Sequence, residues 1–155
     1  MKNGRARLRV RGVSMENDEP IVILEDRATD CRLTIPVGPY EASAIILELE
    51  CLSTPRPLVH DLLAFFFLEG GFCLDEVELY GEPGSGSRAR LSYRRGMKKY
   101  KKEVRPADAL ALALRLNAPV CAESSILARR GKGAAAWRRP KVLRLAEWKA
   151  RAGEA

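Results

Sequence analysis

The chain states one motif twice, and that repetition limits the folds open to it. Gly38-Pro39-Tyr40-Glu41-Ala42-Ser43-Ala44-Ile45 is echoed by Arg105-Pro106-Ala107-Asp108-Ala109-Leu110-Ala111-Leu112, and a β-like stretch precedes each copy. A shared proline, acid and alanine pattern at matching offsets reads as a duplicated strand–strand–helix unit. Each proline suits the first position of a helix, where its missing N–H costs nothing. Glu41 and Asp108 then fall near the third helical position, where the helix dipole favours an acid. No Ser or Thr stands where it would complete a capping box with either acid.

Around these helices the pattern is β-rich. Arg5 to Val13 alternates basic with small or apolar residues, Pro20 to Glu25 and Cys31 to Val37 follow, and Phe72 to Tyr80 is a further strand. Arg88 to Arg95 and Lys99 to Val104 read as a hairpin around Gly96, and Ala118 to Ala122 as a short strand. Helices are expected from Pro39 to about Leu52, from Pro57 to Gly70-Gly71, and from Pro106 to about Asn117. Several successive strands lack an intervening helix. The expected class is therefore α+β: a mixed, mainly antiparallel sheet with three principal helices, built on a duplicated β-β-α unit.

A main domain is expected over residues 1–128. A basic linker and a short amphipathic C-terminal helix follow over 129–155, with Val142, Leu145, Ala146 and Trp148 as its apolar face. No run of about 18 apolar residues occurs, so no membrane span is expected. The first ten residues lack an apolar region, so neither is a signal peptide. Cys31, Cys51, Cys73 and Cys121 are widely separated, which suits reduced, mostly buried thiols in a cytoplasmic protein rather than zinc or disulfides.

Charge is segregated. Residues 129–155 hold nine Lys/Arg against two acids, and 88–105 nine against one, whereas 12–87 hold three against fifteen. Such basic segments suit a phosphate backbone, so nucleic acid is the expected partner. Nothing in the sequence excludes a homo-oligomer.

Between the repeats, Arg56-Pro57-Leu58-Val59-His60-Asp61-Leu62-Leu63 carries the only histidine. The helix it opens is apolar almost all round, and its one polar arc holds His60, Asp61 and Ala64. Such a helix is expected to be largely buried and to expose His60 and Asp61 at a site, with Arg56 one turn earlier. Glu41, Asp61 and Asp108 would suffice for one or two Mg²⁺ or Mn²⁺ ions if they converge.

These strings resemble the bifunctional nuclease domain family. The resemblance rests on Pro20 to Leu24, on Ile35-Pro36-Val37-Gly38 with Glu41-Ala42 and Ala44-Ile45, on Arg56 to Leu63, and on Arg105 to Ala113 with Asn117 to Val120. It covers about residues 8–128, with Val59, Ala107 and Glu103 where Thr, Ser and Asp are common. It implies phosphodiester hydrolysis on RNA, DNA or both. The resemblance brings no settled catalytic set; read from the residues themselves, a metal-assisted phosphodiesterase would use His60 as general acid or base, Arg56 and Arg105 as phosphate clamps, and Glu41, Asp61 and Asp108 as metal ligands. A single histidine excludes a two-histidine mechanism within one protomer. The alternative is a non-catalytic module that binds nucleic acid or protein, its charged residues forming a structural ion-pair network.

Overall fold

In a computed structural model, which describes residues 4–26, 28–82, 86–129 and 140–151, one eight-stranded sheet organises the chain. Three strands open it: β1 (Arg5–Glu16), β2 (Glu19–Asp26) and β3 (Cys31–Pro36). A two-residue turn joins the first two, with Asn17 and Asp18 both at positive φ. That is the turn geometry that matches the twist of an antiparallel hairpin.

Helices α1 (Pro39–Leu49) and α2 (Val59–Glu69) come next, then β4 (Phe72–Gly81) and the hairpin β5 (Ser87–Arg95) and β6 (Lys98–Val104). The last part of the chain gives α3 (Pro106–Leu116), β7 (Val120–Glu123), a single 3-10 turn, β8 (Ala128–Arg129) and α4 (Leu145–Arg151). The spatial order is β6-β5-β4-β7-β1-β2-β3-β8, and among the described residues only the β4–β7 pairing is parallel. The chain is thus α+β with a mixed, mostly antiparallel sheet. Four α-helices stand among the described residues rather than three principal ones.

Both repeat helices begin on their prolines, with Gly38 and Arg105 as caps and no side-chain cap bond at either. The hairpin β2–β3 runs into α1, and the hairpin β5–β6 into α3. Helix α1 stops at Leu49, earlier than expected, and Cys51 just beyond it turns to positive φ. Helix α2 starts at Val59 rather than Pro57, because the Asp61 carboxylate accepts the Leu58 N–H at 3.0 Å and fixes the start there.

The core lies between the sheet and α1 and α3. Val13, Val22, Leu24, Val77 and Leu79 of the strands meet Ile45, Ile46, Leu110 and Leu112 of the helices. The edge strand β6 carries Lys98, Lys99, Lys101 and Lys102, which discourages pairing with another chain.

The linker expected between the two parts lies outside the described residues. Beyond it, Leu143 donates its N–H to Val13 O at 2.7 Å, and the Trp148 indole N–H donates to Ser43 Oγ at 2.7 Å. Leu143 and Trp148 are both buried in the core, whereas Ala146, expected on the apolar face, is exposed. A Cβ at Gly12 would run into Val142, so the glycine admits this close approach.

All four cysteines are free, but only Cys31 is buried, and Cys51 and Cys73 are exposed. No described helix is long and apolar enough to cross a membrane.

Candidate functional site

The N-terminal ends of α1, α2 and α3 meet at one place. Tyr40 on α1 accepts the Val59 N–H of α2 with its hydroxyl at 3.3 Å, and its ring centroid lies 6.2 Å from that of His60. His60 Nε2 stands 3.1 Å from Asp108 Oδ1 on α3. Arg105, the cap of α3, donates Nε to Asp108 Oδ2 at 2.7 Å and reaches Glu41 Oε1 on α1 at 3.4 Å. A chain of contacts thus runs His60–Asp108–Arg105–Glu41, with Arg105 its most exposed member. His60 is 5% exposed, while most of the Arg105 side chain faces solvent.

Helix α2 is turned over relative to the sequence expectation. His60 and Ala64 face the protein, and Val59, Leu62, Leu63, Phe65, Phe66 and Leu68 are exposed. An all-apolar helix has no amphipathic signal to say which side goes in. On the inner side the Nε2 of the single histidine meets Asp108. His60 Nδ1 is buried with no hydrogen-bond partner among the described residues, an uncommon state for a ring nitrogen.

Asp61 points elsewhere. It pairs with the guanidinium of Arg115, which also donates to Ala111 O at 3.0 Å and Ala44 O at 3.4 Å. Arg115 is buried and ties α1, α2 and α3 together. Sequence reasoning missed it and missed Tyr40. The available signal was a lone Arg on the otherwise apolar Ala109 to Leu116 stretch, two turns after Asp108 on the same face. Arg56 is exposed on the turn before α2 and takes no part in either arginine–carboxylate group.

Among the described residues no group of three or more His, Cys, Asp or Glu is placed to hold a metal ion. Guanidinium groups occupy the carboxylates instead, so this donor set as arranged does not fit Mg²⁺ or Mn²⁺.

Burial pushes the Asp108 carboxyl up, but hydrogen bonds from Arg105 and His60 outweigh it and hold it below the usual carboxylate value. Burial also raises Asp61, and the Leu58 N–H and Arg115 more than offset that. A carboxylate with a depressed folded-state pKa adds stability above its unfolded pKa and loses it as pH falls through the folded value. Unfolding free energy is therefore expected to hold from neutral pH to about 5 and to fall below about pH 4. Urea midpoints at several pH values check this. An Asp61→Asn/Asp108→Asn variant with an equally steep acid slope would contradict it.

The basic hairpin is less cationic than its sequence. Arg88 pairs with Glu103, Arg90 with Glu78 and Arg94 with Asp75, so β4 and β6 neutralise much of the outer face. On the other face Tyr93 and Tyr100 stack at 5.2 Å, with Lys98 over Tyr100 and Arg95 over Phe72.

The family model for the bifunctional nuclease domain matches residues 22–134, which takes in the whole helix-junction cluster. The chain belongs to the bifunctional nuclease domain family. Uncharacterized proteins from two strains of Mycobacterium tuberculosis are each 34% identical over 126 residues, covering 80% of this chain and 75% of theirs. The matched residues of the bifunctional nuclease domain begin within β2, so β1 and the α4 segment flank them.

Proposed function

We propose that this bifunctional nuclease domain hydrolyses phosphodiester bonds in RNA or DNA at the junction of α1, α2 and α3. The observation that carries this reading is that three helix N-termini converge on the lone histidine and on an outward-facing arginine. Helix N-termini present positive dipole ends, which favour a phosphate. Arg105 is the outermost group and would meet the phosphate first. Asp108 and His60 behind it would move the proton between water and the leaving oxygen. The stacked Tyr93–Tyr100 pair with Lys98 and Lys102 would hold bases and backbone of a single strand, as stacking platforms do.

The test is cleavage of labelled single-stranded RNA and DNA, with Mg²⁺ or Mn²⁺ and again with EDTA. His60→Gln is expected to lose at least about 100-fold in rate while keeping binding, as removal of a general acid or base does. Arg105→Met is expected to weaken binding as well. Equal cleavage by wild type and His60→Gln would sink the site.

A second reading, a non-catalytic binding module, is favoured by one observation: Glu41, Asp61 and Asp108 are each engaged by a guanidinium, as in a structural network. It predicts salt-sensitive binding without cleavage, and a His60→Gln variant that loses stability only.

A further inference from the structure

We propose that the cleft between α2 and the β5–β6 hairpin holds one unstacked base of a single-stranded nucleic acid. The proposal deepens the phosphodiester reading of the helix junction, and rests on it for the neighbouring phosphate. The cleft has a volume of about 380 Å³, within the range of sites that hold small ligands. Phe67, Phe72, Tyr93 and Tyr100 line it, together with Leu112 of α3 and the exposed Lys102. Tyr93 and Tyr100 stack with their planes 13° apart, and Phe72 meets both edge-on at 5.9 and 6.3 Å. Such a platform suits any base, because every base has a π-face.

Charge chooses the occupant. Arg95 lies over the Phe72 ring at 5.5 Å and Lys98 over the Tyr100 ring at 5.1 Å. With Lys102 they place three cations around the aromatic cluster, and among the described residues none of the three has an acid partner. On the opposite face of the same hairpin, Arg88, Arg90 and Arg94 are each paired with a carboxylate. The cleft side thus keeps charge that the outer arginines have lost. Lys98, Tyr100 and Lys102 are alternate residues of β6, about 7 Å apart on one face. Cation, ring and cation follow one another there as phosphate, base and phosphate do along a single strand. An apolar peptide anchor would use the rings alone, whereas a single strand uses the rings and the cations together.

The cleft adjoins the helix junction. Leu112 follows Asp108 by one turn of α3, and Leu63, which also lines the cleft, follows His60 by three residues on α2. These are rises of about 6 and 4.5 Å. Strand β6 runs on from Lys102 towards Arg105. A strand whose phosphate meets Arg105 therefore brings a neighbouring base to the cleft. In a duplex that base is already paired and stacked, and drawing it out costs unpairing and unstacking free energy. The substrate is single-stranded at the site of attack.

The test is fluorescence anisotropy on the full chain with a labelled DNA strand of about 12 nucleotides, in EDTA, the strand being shown intact afterwards on a gel. The single strand is expected to bind at least about 10-fold more tightly than a blunt duplex of the same sequence. Tyr100→Leu keeps apolar area but removes the ring face, and is expected to weaken single-strand binding about 10-fold. The decisive comparison uses exposed lysines of one strand, which leave the core untouched. Lys98→Ala/Lys102→Ala is expected to weaken binding about 10-fold and Lys99→Ala/Lys101→Ala at most about 3-fold, although each removes two charges. Equal losses from the two pairs overturn the cleft, as does a duplex bound as tightly as the single strand, or binding of neither. The hydrolysis reading fails separately. A strand bound with this pattern but never cleaved, with or without Mg²⁺ or Mn²⁺, keeps the cleft and removes the chemistry. Cleavage indifferent to the cleft lysines does the reverse.

Discussion

Replacing Arg115 by methionine is expected to cost about 3 kcal/mol of unfolding free energy, the range seen when one partner of a buried ion pair is removed. Its side chain is 5% exposed, and its guanidinium serves acceptors on three helices: Ala44 O on α1, Asp61 on α2 and Ala111 O on α3. The substitution keeps most of the volume but leaves the Asp61 carboxylate facing a hydrocarbon and the Ala44 carbonyl without that donor. An unpaired half-buried charge costs more than the pair contributed. The double variant Arg115→Met/Asp61→Leu is therefore expected to recover part of the loss, because neither charge then remains. Urea unfolding of the two single variants and the double variant decides the matter. A loss under about 1 kcal/mol for Arg115→Met would mean that Asp61 finds enough water to do without it.

Trp148→Ala is expected to cost about as much, 3–4 kcal/mol, as truncation of a buried tryptophan does. The indole is buried against the main core although it comes from the last described helix, and its N–H is spent on Ser43. Around it, Leu143 bonds to Val13, and Glu50 accepts the Leu145 N–H at 3.3 Å. For a chain of this size that loss corresponds to a fall of about 10 °C in Tm. The informative readout is the form of the melt. One cooperative transition at lower temperature is expected, because α4 shares the core with α1. A main transition at the wild-type temperature, with only a small early loss of signal, would mean that the C-terminal segment contributes nothing to the body.

Much of this was legible in the sequence, for identifiable reasons. Pro39 and Pro106 begin their helices because proline fixes φ and lacks the N–H that a first turn leaves unused. The alternation of β1 and the apolar run of β2 read as strands because side-chain period and burial coincide there. The sequence marked His60 and Asp108 separately as candidates and left open whether they meet; the 3.1 Å contact between them is seen only in the fold. The orientation of α2 was not legible either. Hydrophobic periodicity assumes that apolar residues go inside, and a helix with an exposed apolar face breaks that assumption. The neutralised hairpin was hidden for another reason. Arg90 meets Glu78 and Arg94 meets Asp75 only through the β4–β5 pairing, and charge counted along the chain does not know the register. Arg115 was overlooked because its partner lies 54 residues away, on another helix.

Strand β7 sits fourth from the β6 edge, parallel to β4 and antiparallel to β1, yet its residues come after residue 119. During synthesis the meander β1–β2–β3 is complete long before the strand that closes its open side exists. Until Val120–Glu123 emerges, the backbone of Arg5 to Leu8 is an unpaired edge, and it is bordered by Arg5, Arg7 and Arg9. Charged side chains along an unpaired strand edge oppose its pairing with a second chain. The central seam of the sheet is thus closed late, by a strand that follows all but the short edge strand β8 in the chain.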